Sequence, residues 1–252
     1  MLRYFKSMLF FKAINIDTIL FDDITWISEE NSTNIDGIVI KINQNNFQYL
    51  ESYIKKSTPI FIVNFYELNF ESAQKLFKLA IEAETIIQVN SPLRFENQAK
   101  DIINSLGRFK LISFRKSLKN KPSIYFKELL FNEIDSFISI IKARTRKIQT
   151  FVIPENQNPI ETIDCRIDLD NGIIFKLLFS SNFPVDINQI ELFGENLFKA
   201  LSYNEVLDEM KNFKIQLEDF KENIINNKEP KASIEDGLTS LRILNEIFTK
   251  LA

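Results

Sequence analysis

The chain has 252 residues, of which 45% are hydrophobic and 26% charged, so it can form one large or two modest domains with a substantial core. An aromatic content of 12%, with only 5 glycines and 7 prolines, excludes disordered and collagen-like proteins. With 31 basic and 34 acidic residues the net charge is −3, so the composition gives no electrostatic sign of nucleic-acid binding.

The sequence contains no histidine and a single cysteine, Cys165. Ser-His-Asp triads, Cys-His pairs and the usual His-rich zinc sites are therefore excluded, as is an internal disulfide framework. Acid–base chemistry at neutral pH would need a carboxylate, a lysine or a tyrosine with a perturbed pKa. We expect Cys165 to be a small core residue.

Residues 1–14, MLRYFKSMLFFKAI, have the basic and aromatic composition of a signal peptide or an amphipathic membrane anchor. However, Lys6 and Lys12 interrupt the apolar run, and no small-residue cleavage site follows. No stretch of the chain approaches the roughly 18 apolar residues of a membrane-spanning helix. We therefore expect a terminal strand or helix packed on a domain, in a soluble cytoplasmic protein.

The first part of the chain alternates strand and helix signals. Short β-branched runs are typical of buried parallel strands, and each is followed by apolar residues at helical spacing. In chain order the patterns predict a strand at 35–40, a helix at 46–56, a strand at 59–63, a helix at 69–83 with Asn69 as N-cap, a strand at 85–89 and a helix at 94–106. This order predicts a parallel sheet with right-handed crossovers.

From residue 109 onward the pattern becomes that of an α+β domain. It predicts a strand at 109–115, a helix at 128–142, and strands at 148–153, 161–169, 173–179 and 187–193. Asp170-Asn171-Gly172 predicts a hairpin, because Asn-Gly supplies two positive-φ positions, and strands joined by hairpins form an antiparallel sheet. Two helices close the chain, the last beginning at the capping-box-like sequence Ser233-Ile234-Glu235-Asp236.

Several of these segments carry a family resemblance in their order and spacing. They are Thr58-Pro59-Ile60-Phe61-Ile62-Val63-Asn64-Phe65 with the helix after it, Gln88-Val89 through Leu106-Gly107-Arg108, the turns at Asp170-Asn171-Gly172 and Glu191-Leu192-Phe193-Gly194, and Glu235-Asp236-Gly237. From about Ile16 onward the sequence resembles the Gfo/Idh/MocA family, NAD(P)-dependent oxidoreductases that act largely on sugars and cyclitols. The resemblance implies a partial Rossmann-type parallel sheet in residues 1–90. It also implies an α+β domain in residues 91–252, with an open antiparallel sheet, packing helices, and a final helix at 233–251 that packs back on the first domain.

The N-terminus departs from the family pattern. A family member opens with a strand, a G-x-G-x-x-G turn, a helix and a second strand, which bind the pyrophosphate and ribose. Here only about fifteen residues precede the segment that aligns after this unit, and they contain no glycine, whereas a βαβ unit needs roughly thirty residues. Lys41-Ile42-Asn43 also replaces the family's A-T-P sequence. The resemblance therefore implies a sheet that lacks its first βαβ unit and its phosphate cradle, and we expect no bound cofactor.

The family's catalytic positions are also altered. The lysine of its EKP segment, which contacts substrate and cofactor, corresponds here to Asn64, and its D-x-x-x-H pair corresponds to Glu128 and Asn132. An asparagine amide forms hydrogen bonds but does not transfer a proton. Only the carboxylate of Glu128 remains, together with Asp135 one helical turn beyond Asn132. The resemblance thus implies catalytically degenerate positions.

Each candidate site residue has a structural alternative. Glu128 is either a remaining general base or an acidic residue at a favourable helix start. Asn64 and Asn132 either bind a sugar hydroxyl in the old substrate pocket or satisfy local backbone groups at strand or helix ends. Arg94 matches a family arginine near the substrate cleft, where it would hold a carboxylate or phosphate; alternatively it is a solvent-facing residue at a helix start.

Four charged residues alternate along one predicted strand and should share a face, namely Asp164, Arg166, Asp168 and Asp170. They suggest either a cation site or a solvated sheet face. The interspersed arginine and the absence of metal-loop spacing favour the solvated face, and no metal is expected.

The leading hypothesis is a catalytically degenerate Gfo/Idh/MocA homologue, a pseudoenzyme. It would serve as an oligomerising subunit or a small sugar-type ligand binder in carbohydrate or surface-polysaccharide metabolism. The resemblance places an oligomer contact on the antiparallel sheet, with the apolar strand 173–179, in a homo-oligomer or a hetero-oligomer with an active homologue.

Two other hypotheses stay open. The protein is an active oxidoreductase that holds NAD or NADP without a glycine turn, with residues of a partner subunit, or with a unit encoded upstream of Met1. Alternatively, it is a structural remnant without a ligand, whose melting temperature no sugar or dinucleotide would raise.

Overall fold

The computed structural model describes residues 9–14, 25–26, 35–42, 47–95, 109–117, 125–154, 160–183, 185, 187–202 and 209–250. The chain divides into two compact units. The first comprises Met1–Pro92 with Asp208–Leu238, and the second comprises Leu93–Leu207 with Thr239–Ala252. The first unit therefore contains the predicted N-terminal domain, 1–90, and in addition a segment from near the C-terminus.

The first unit contains a five-stranded parallel sheet. Its strands are β1 (Phe10–Ile14), β2 (Thr25–Trp26), β3 (Gly37–Lys41), β4 (Ile60–Val63) and β5 (Ile87–Val89), in the order β2-β1-β3-β4-β5. The predicted parallel layer is confirmed, and it is larger than expected. Two strands precede β3, where we expected the first unit to be missing. The apolar sequence at 10–14 forms the terminal strand that we gave as one of two alternatives.

Both faces of this parallel sheet are buried. On one face Ile38, Ile40, Ile60 and Ile62 are fully buried. On the other, Phe11, Val39 and Phe61 form a core cluster with Leu217 and Phe220 of the helix α4 (Glu209–Asn226). Continuous apolar runs are typical of strands that are covered on both sides, so this packing explains why their sequences show no polar alternation.

Two helices follow strands of the parallel sheet, α1 (Phe47–Ile54) after β3 and α2 (Phe70–Glu82) after β4. The predicted N-cap of α2 is confirmed, because the Asn69 side chain accepts a hydrogen bond of 2.7 Å from the Ser72 amide. The helix predicted at 94–106 falls mostly on residues 96–108, which lie outside the described part of the chain, as do residues 1–8. Arg94 itself lies in a 3-10 turn, Pro92–Phe95.

The segment before the last helix, α5 (Ile234–Thr249), adjoins the edge of β5. The Val89 amide donates a 2.8 Å hydrogen bond to the Ala232 carbonyl. Gly237, in the first turn of α5, packs so closely that a Cβ atom there would lie 3.0 Å from Val89 Cγ2 and 3.3 Å from the Phe65 ring. This close approach explains the glycine of the Glu235-Asp236-Gly237 sequence.

The second unit contains a six-stranded mixed sheet. Its strands are β6 (Leu111–Ser117), β7 (Thr145–Ile153), β8 (Thr162–Leu169), β9 (Ile174–Ser180), β10 (Asn188–Gly194) and β11 (Leu197–Ser202), in the order β11-β10-β6-β9-β8-β7. All neighbours are antiparallel except β6 and β9, which are parallel. The α+β architecture is confirmed; β11 was not predicted.

One face of the mixed sheet forms a core with the helix α3 (Tyr125–Ile141). The rings of Phe137 in α3 and Phe175 in β9 lie 5.1 Å apart, and Phe114, Leu177 and Cys165 on the same sheet face are fully buried. The strands alternate buried and more exposed residues, as expected of a sheet with one solvated face.

The hairpin between β8 and β9 differs in detail from the prediction. Its loop has three residues, Asp170-Asn171-Gly172, and is closed by a 2.9 Å hydrogen bond from the Leu169 amide to the Ile173 carbonyl. Only Gly172 has a positive φ, of 82°, so the expectation of two positive-φ positions was wrong. Three-residue hairpin loops combine a type I turn with one left-handed residue, which here is the glycine.

In the described part of the chain, no helix has both the length and the apolar character needed to cross a membrane.

Candidate functional site

The carboxyl ends of the parallel strands form the first candidate site. Open parallel sheets bind ligands outside this edge. In the first unit, β3 is followed by the buried Ile42, β4 by Asn64 and β5 by Asn90. The Asn90 amide donates a 2.8 Å hydrogen bond to the Ile62 carbonyl, so Asn90 extends the pairing of β5 with β4. Asn64 and Asn90 thus lie at the same edge of the sheet.

Asn64 has an unusual backbone conformation. Its φ of 60° and ψ of 38° are left-handed, and it precedes a 3-10 turn, Phe65–Glu67. Asparagine is one of the few residues other than glycine that adopts this conformation readily. Its half-buried side chain does not cap the turn. The position at a strand end is as we expected, whereas the proposed role in capping the local backbone is not seen there.

A chain of buried amides connects the end of β5 with α4. The Gln88 Nε2 donates to the Gln216 carbonyl at 3.0 Å, and the Ser91 amide donates to Gln216 Oε1 at 2.8 Å. Gln216 Nε2 in turn donates to Asn212 Oδ1 at 2.8 Å, and Asn212 Nδ2 donates to the Pro92 carbonyl at 2.9 Å. All of these residues belong to the first unit. No local sequence pattern indicates this network, because its partners are up to 128 positions apart.

The positions that match the family's D-x-x-x-H pair lie on α3. Glu128 is in its first turn and Asn132 in its second, and both side chains are half-buried. Their spacing of four residues places them on one face of the helix. The position of Glu128 fits an acidic residue at a helix start, while Asn132 lies in the helix interior rather than at an end.

Arg94 is buried, so of its two alternatives the solvent-facing one was wrong. Its Nε donates to Asp135 Oδ2 at 2.7 Å and its Nη2 donates to Asp135 Oδ1 at 2.8 Å. The side chains are 7% and 1% exposed, and Ser240 Oγ adds a 3.1 Å hydrogen bond to Asp135 Oδ1. The reason is local: residues 92–95 form a 3-10 turn, not the exposed start of a helix, and the guanidinium faces the carboxylate of α3 in a bidentate pair.

A second buried pair joins the mixed sheet to α3. Lys116 Nζ and Glu133 Oε1 are 3.9 Å apart, with side chains 3% and 2% exposed. Lys116 lies on the inward face of β6, opposite Asn188 of β10. The sequence does carry a signal for this pair, because Lys116 continues the inward alternation of Ile112 and Phe114, where a charged residue is unexpected.

The charged face of β8 is a solvated surface with ion pairs. Arg166 Nε contacts Asp168 Oδ1 at 2.7 Å, and Lys176 Nζ lies 3.4 Å from Asp164 Oδ2. Asp170 does not share this face, because it lies in the hairpin loop, where its Oδ1 accepts a hydrogen bond from the Arg144 amide. The described residues contain no group of three or more His, Cys, Asp or Glu side chains that could hold a metal ion.

Cys165 lies on the buried face of β8, as predicted. Burial raises the pKa of its thiol to about 12, although Thr150 donates a hydrogen bond toward its sulfur. A thiol with so high a pKa is uncharged at neutral pH and is a poor nucleophile.

The sequence between β1 and β2 differs from that of a dinucleotide-binding turn. Ile14 ends β1 and Thr25 begins β2, so the connection has ten residues, 15–24. It contains no glycine and no basic residue, but three aspartates: Asp17, Asp22 and Asp23. The glycine-rich turn that normally follows the first strand provides close backbone N–H groups for a pyrophosphate, and acidic residues oppose that anion.

Comparison with known proteins gives fold relatives only. The sequence matches no protein-family model and no curated protein. Among solved structures, a probable dehydrogenase from Thermotoga maritima matches with a TM-score of 0.79 and 13% identity, over 96% of this chain and 97% of that one. A myo-inositol 2-dehydrogenase from Lactobacillus plantarum matches with a TM-score of 0.75 and 13% identity, over 96% and 97%.

A third structure, the UDP-N-acetylglucosamine 3-dehydrogenase GnnA from Acidithiobacillus ferrooxidans, matches with a TM-score of 0.73 and 12% identity, over 86% of this chain and 79% of that one. At such identities the likeness concerns the fold alone. The two sheets with their strand orders agree with it. The chain therefore has the fold of the Gfo/Idh/MocA-type dehydrogenases.

Proposed function

We propose that the protein is a catalytically inactive relative of the Gfo/Idh/MocA oxidoreductases, which acts as an oligomerising subunit or as a binder of a small sugar-type ligand. The observation that carries this proposal is Asn64. The family resemblance aligns it with the family lysine, and it lies at the carboxyl edge of the sheet in a left-handed conformation that suits asparagine. Carbohydrate or surface-polysaccharide metabolism is the setting that the family resemblance implies, and the cytoplasm is the expected compartment.

The loss of catalysis follows from the chemistry of these residues. Oxidation of a hydroxyl group requires a base that takes its proton while hydride leaves the carbon. The amides of Asn64 and Asn132 do not take up protons, although they can hydrogen-bond to a hydroxyl group. Glu128 is the one carboxylate among the matched positions. The nearby carboxylate of Asp135 already binds the buried Arg94.

The loss of cofactor binding rests on the connection between β1 and β2. Ten residues without glycine and with three aspartates replace the turn that holds the pyrophosphate. We therefore expect a ligand without a pyrophosphate group.

The outward face of the mixed sheet is the proposed oligomer contact. The predicted strand 173–179 lies at its centre as β9, which turns the half-buried Ile174, Lys176 and Leu178 to this face. Aromatic residues lie toward both ends of the strand order: Phe151 on β7 is 68% exposed, and the rings of Phe193 and Phe198 lie 5.0 Å apart on β10 and β11. Such an apolar and charge-paired face suits a second copy of this chain or an active homologue.

The alternative is an active NAD- or NADP-dependent oxidoreductase whose cofactor site is atypical or completed by a partner subunit. Its support is that the fold neighbours are dehydrogenases, one of them a putative NADPH-dependent oxidoreductase from Desulfitobacterium hafniense. In this case a partner chain would supply the phosphate-binding groups that the 15–24 connection lacks.

The deciding experiment is titration calorimetry of the full 252-residue chain with NAD and NADP, combined with its mass in solution. We expect no heat of dinucleotide binding and an oligomer. The oligomer should dissociate when Phe151 and Phe198 are replaced by serine, while Tyr49→Ser, at a 54% exposed tyrosine of the first unit, serves as the control. The alternative would be established if either dinucleotide bound at micromolar concentration and was reduced by the protein in the presence of myo-inositol.

A further inference from the structure

The side-chain amide of Gln88, near the end of β5, has a fixed orientation. Gln88 Nε2 donates to the backbone carbonyl of Gln216; turning this amide over would place two oxygens against each other. Gln216 is fixed in the same way, because its Oε1 accepts from the Ser91 amide while its Nε2 donates to Asn212. The atom of the Gln88 amide that this network does not use is therefore the oxygen, which can only accept a hydrogen bond.

Two acceptors of this region remain open. Gln88 Oε1 and Asn90 Oδ1 are buried and have no hydrogen-bond partner among the residues that the structure describes. Gln88 is wholly buried, and Asn90 is half-buried. The two residues alternate with Val89, so both side chains point to the same side of β5 at its carboxyl end. A buried unpaired polar group costs about 1–3 kcal/mol, so a partner is expected in the working protein.

We propose that Gln88 and Asn90 are specificity-determining residues of the ligand site at this edge, where they accept hydrogen bonds from a ligand with adjacent O–H or N–H donors. This inference rests on the proposed function as a binder of a small ligand. A hydroxyl or amine group supplies what the two oxygens lack. A phosphate or carboxylate offers only acceptors at neutral pH, so it is rejected at this position.

The order of the two residues defines how such a ligand is held. Asn90, at the edge, meets the donor group first, and Gln88, two residues earlier in the strand, accepts from a second donor deeper in the unit. Because Gln88 is held by the amide network on α4, its oxygen is preorganised, and little ordering entropy is lost on binding. Asn64 at the end of the neighbouring β4 lies at the same edge, but its side chain is not part of this network.

The test is a titration of the full chain with three probes of one scaffold: D-glucosamine, D-glucose and D-glucose 6-phosphate. We expect glucosamine and glucose to bind. Glucose 6-phosphate should bind no more tightly than glucose. Asn90→Leu removes one acceptor and should weaken binding of both sugars about two- to tenfold, the effect of one neutral hydrogen bond. Asn90→Asp keeps the acceptor and adds a negative charge, so it should increase the preference for glucosamine over glucose.

A matched control is Gln149→Leu, which removes a half-buried amide from β7 of the other unit and should leave all affinities unchanged. Sugar binding that Asn90→Leu and Asn90→Asp leave unaltered would overturn the role of this pair while leaving the proposed function intact. Absence of binding of every probe to the wild-type chain would reject the ligand-binding function and the inference together. The inference is also overturned if crystals soaked in glucosamine show only an ordered water on both oxygens.

Discussion

Two clusters of buried polar groups, one in each unit, differ in how completely they are paired. In the second unit Arg94, Asp135 and Ser240 satisfy one another, with three hydrogen bonds of 2.7–3.1 Å. In the first unit the amides of Gln88 and Asn90 keep one open acceptor each. A closed cluster is explained by stability alone, whereas open acceptors call for a further partner. Burial of a polar residue therefore does not by itself indicate a ligand. Incomplete pairing is not sufficient either, because Thr145 Oγ1 and the Asn188 amide of the second unit are also buried without a partner among the described residues; the proposal for Gln88 and Asn90 depends in addition on their position at the carboxyl edge of the parallel sheet.

The largest expected effect comes from breaking the closed cluster. Asp135→Ala leaves the guanidinium of Arg94 buried without its carboxylate, which should reduce the free energy of unfolding by about 3–5 kcal/mol. The measurement is urea denaturation followed by circular dichroism. A loss below about 1 kcal/mol, the range of exposed ion pairs, would show that the pair is not buried in solution.

Two controls separate this effect from the loss of any charged pair. The double variant Arg94→Met with Asp135→Leu removes both charges and should be more stable than Asp135→Ala, because no unpaired charge remains. Glu191→Ala breaks the pair of Glu191 with Arg115, whose side chain is 46% exposed, and should have little effect on stability.

A smaller effect is expected at Asn64, where the backbone conformation and the side-chain chemistry can be separated. Asn64→Lys restores the family residue but places a lysine at a positive φ, which should cost about 1 kcal/mol. Asn64→Gly should retain or slightly raise stability, because glycine adopts this conformation without strain. Thermal and urea unfolding of the three proteins give the comparison.

Asn196 provides a matched control for Asn64. It also has a positive φ, of 58°, but lies in the turn between β10 and β11. Asn196→Lys should lower stability to a similar extent and leave sugar binding unchanged. If Asn64→Gly reduces sugar binding while Asn196→Gly does not, the Asn64 amide itself contacts the ligand.

The sequence predicted most of the described elements because their signals are local. The apolar runs of β3, β4 and β5, the cap at Asn69 and the turn at Gly172 each depend on a few neighbouring residues. The strand β11 (Leu197–Ser202) was not predicted, because a lysine and small residues interrupt its apolar pattern. It lies at the edge of the sheet and pairs only with β10.

Local sequence patterns did not predict the polar contacts of the candidate site. Arg94 and Asp135 are 41 positions apart, and Gln88 and Gln216 are 128 apart. Nothing in the local pattern around either residue of a pair specifies its partner. The residues that the family resemblance aligns with catalytic positions could be named from the sequence, but the left-handed conformation of Asn64 and the burial of Arg94 required the fold.

The smallest effect on stability is expected at Gln88, and it gives the sharpest contrast with Asp135. Gln88→Met has a similar volume and removes the open acceptor along with one hydrogen bond to the Gln216 carbonyl. Loss of the hydrogen bond to the Gln216 carbonyl lowers stability, whereas removal of the buried, unpaired Gln88 Oε1 raises it. The free energy of unfolding should therefore change by less than about 1 kcal/mol. Urea denaturation of both variants at the same pH measures this difference. A loss as large as that of Asp135→Ala would mean that Gln88 Oε1 is already paired within the folded chain, and the distinction between a closed and an open polar cluster would not hold.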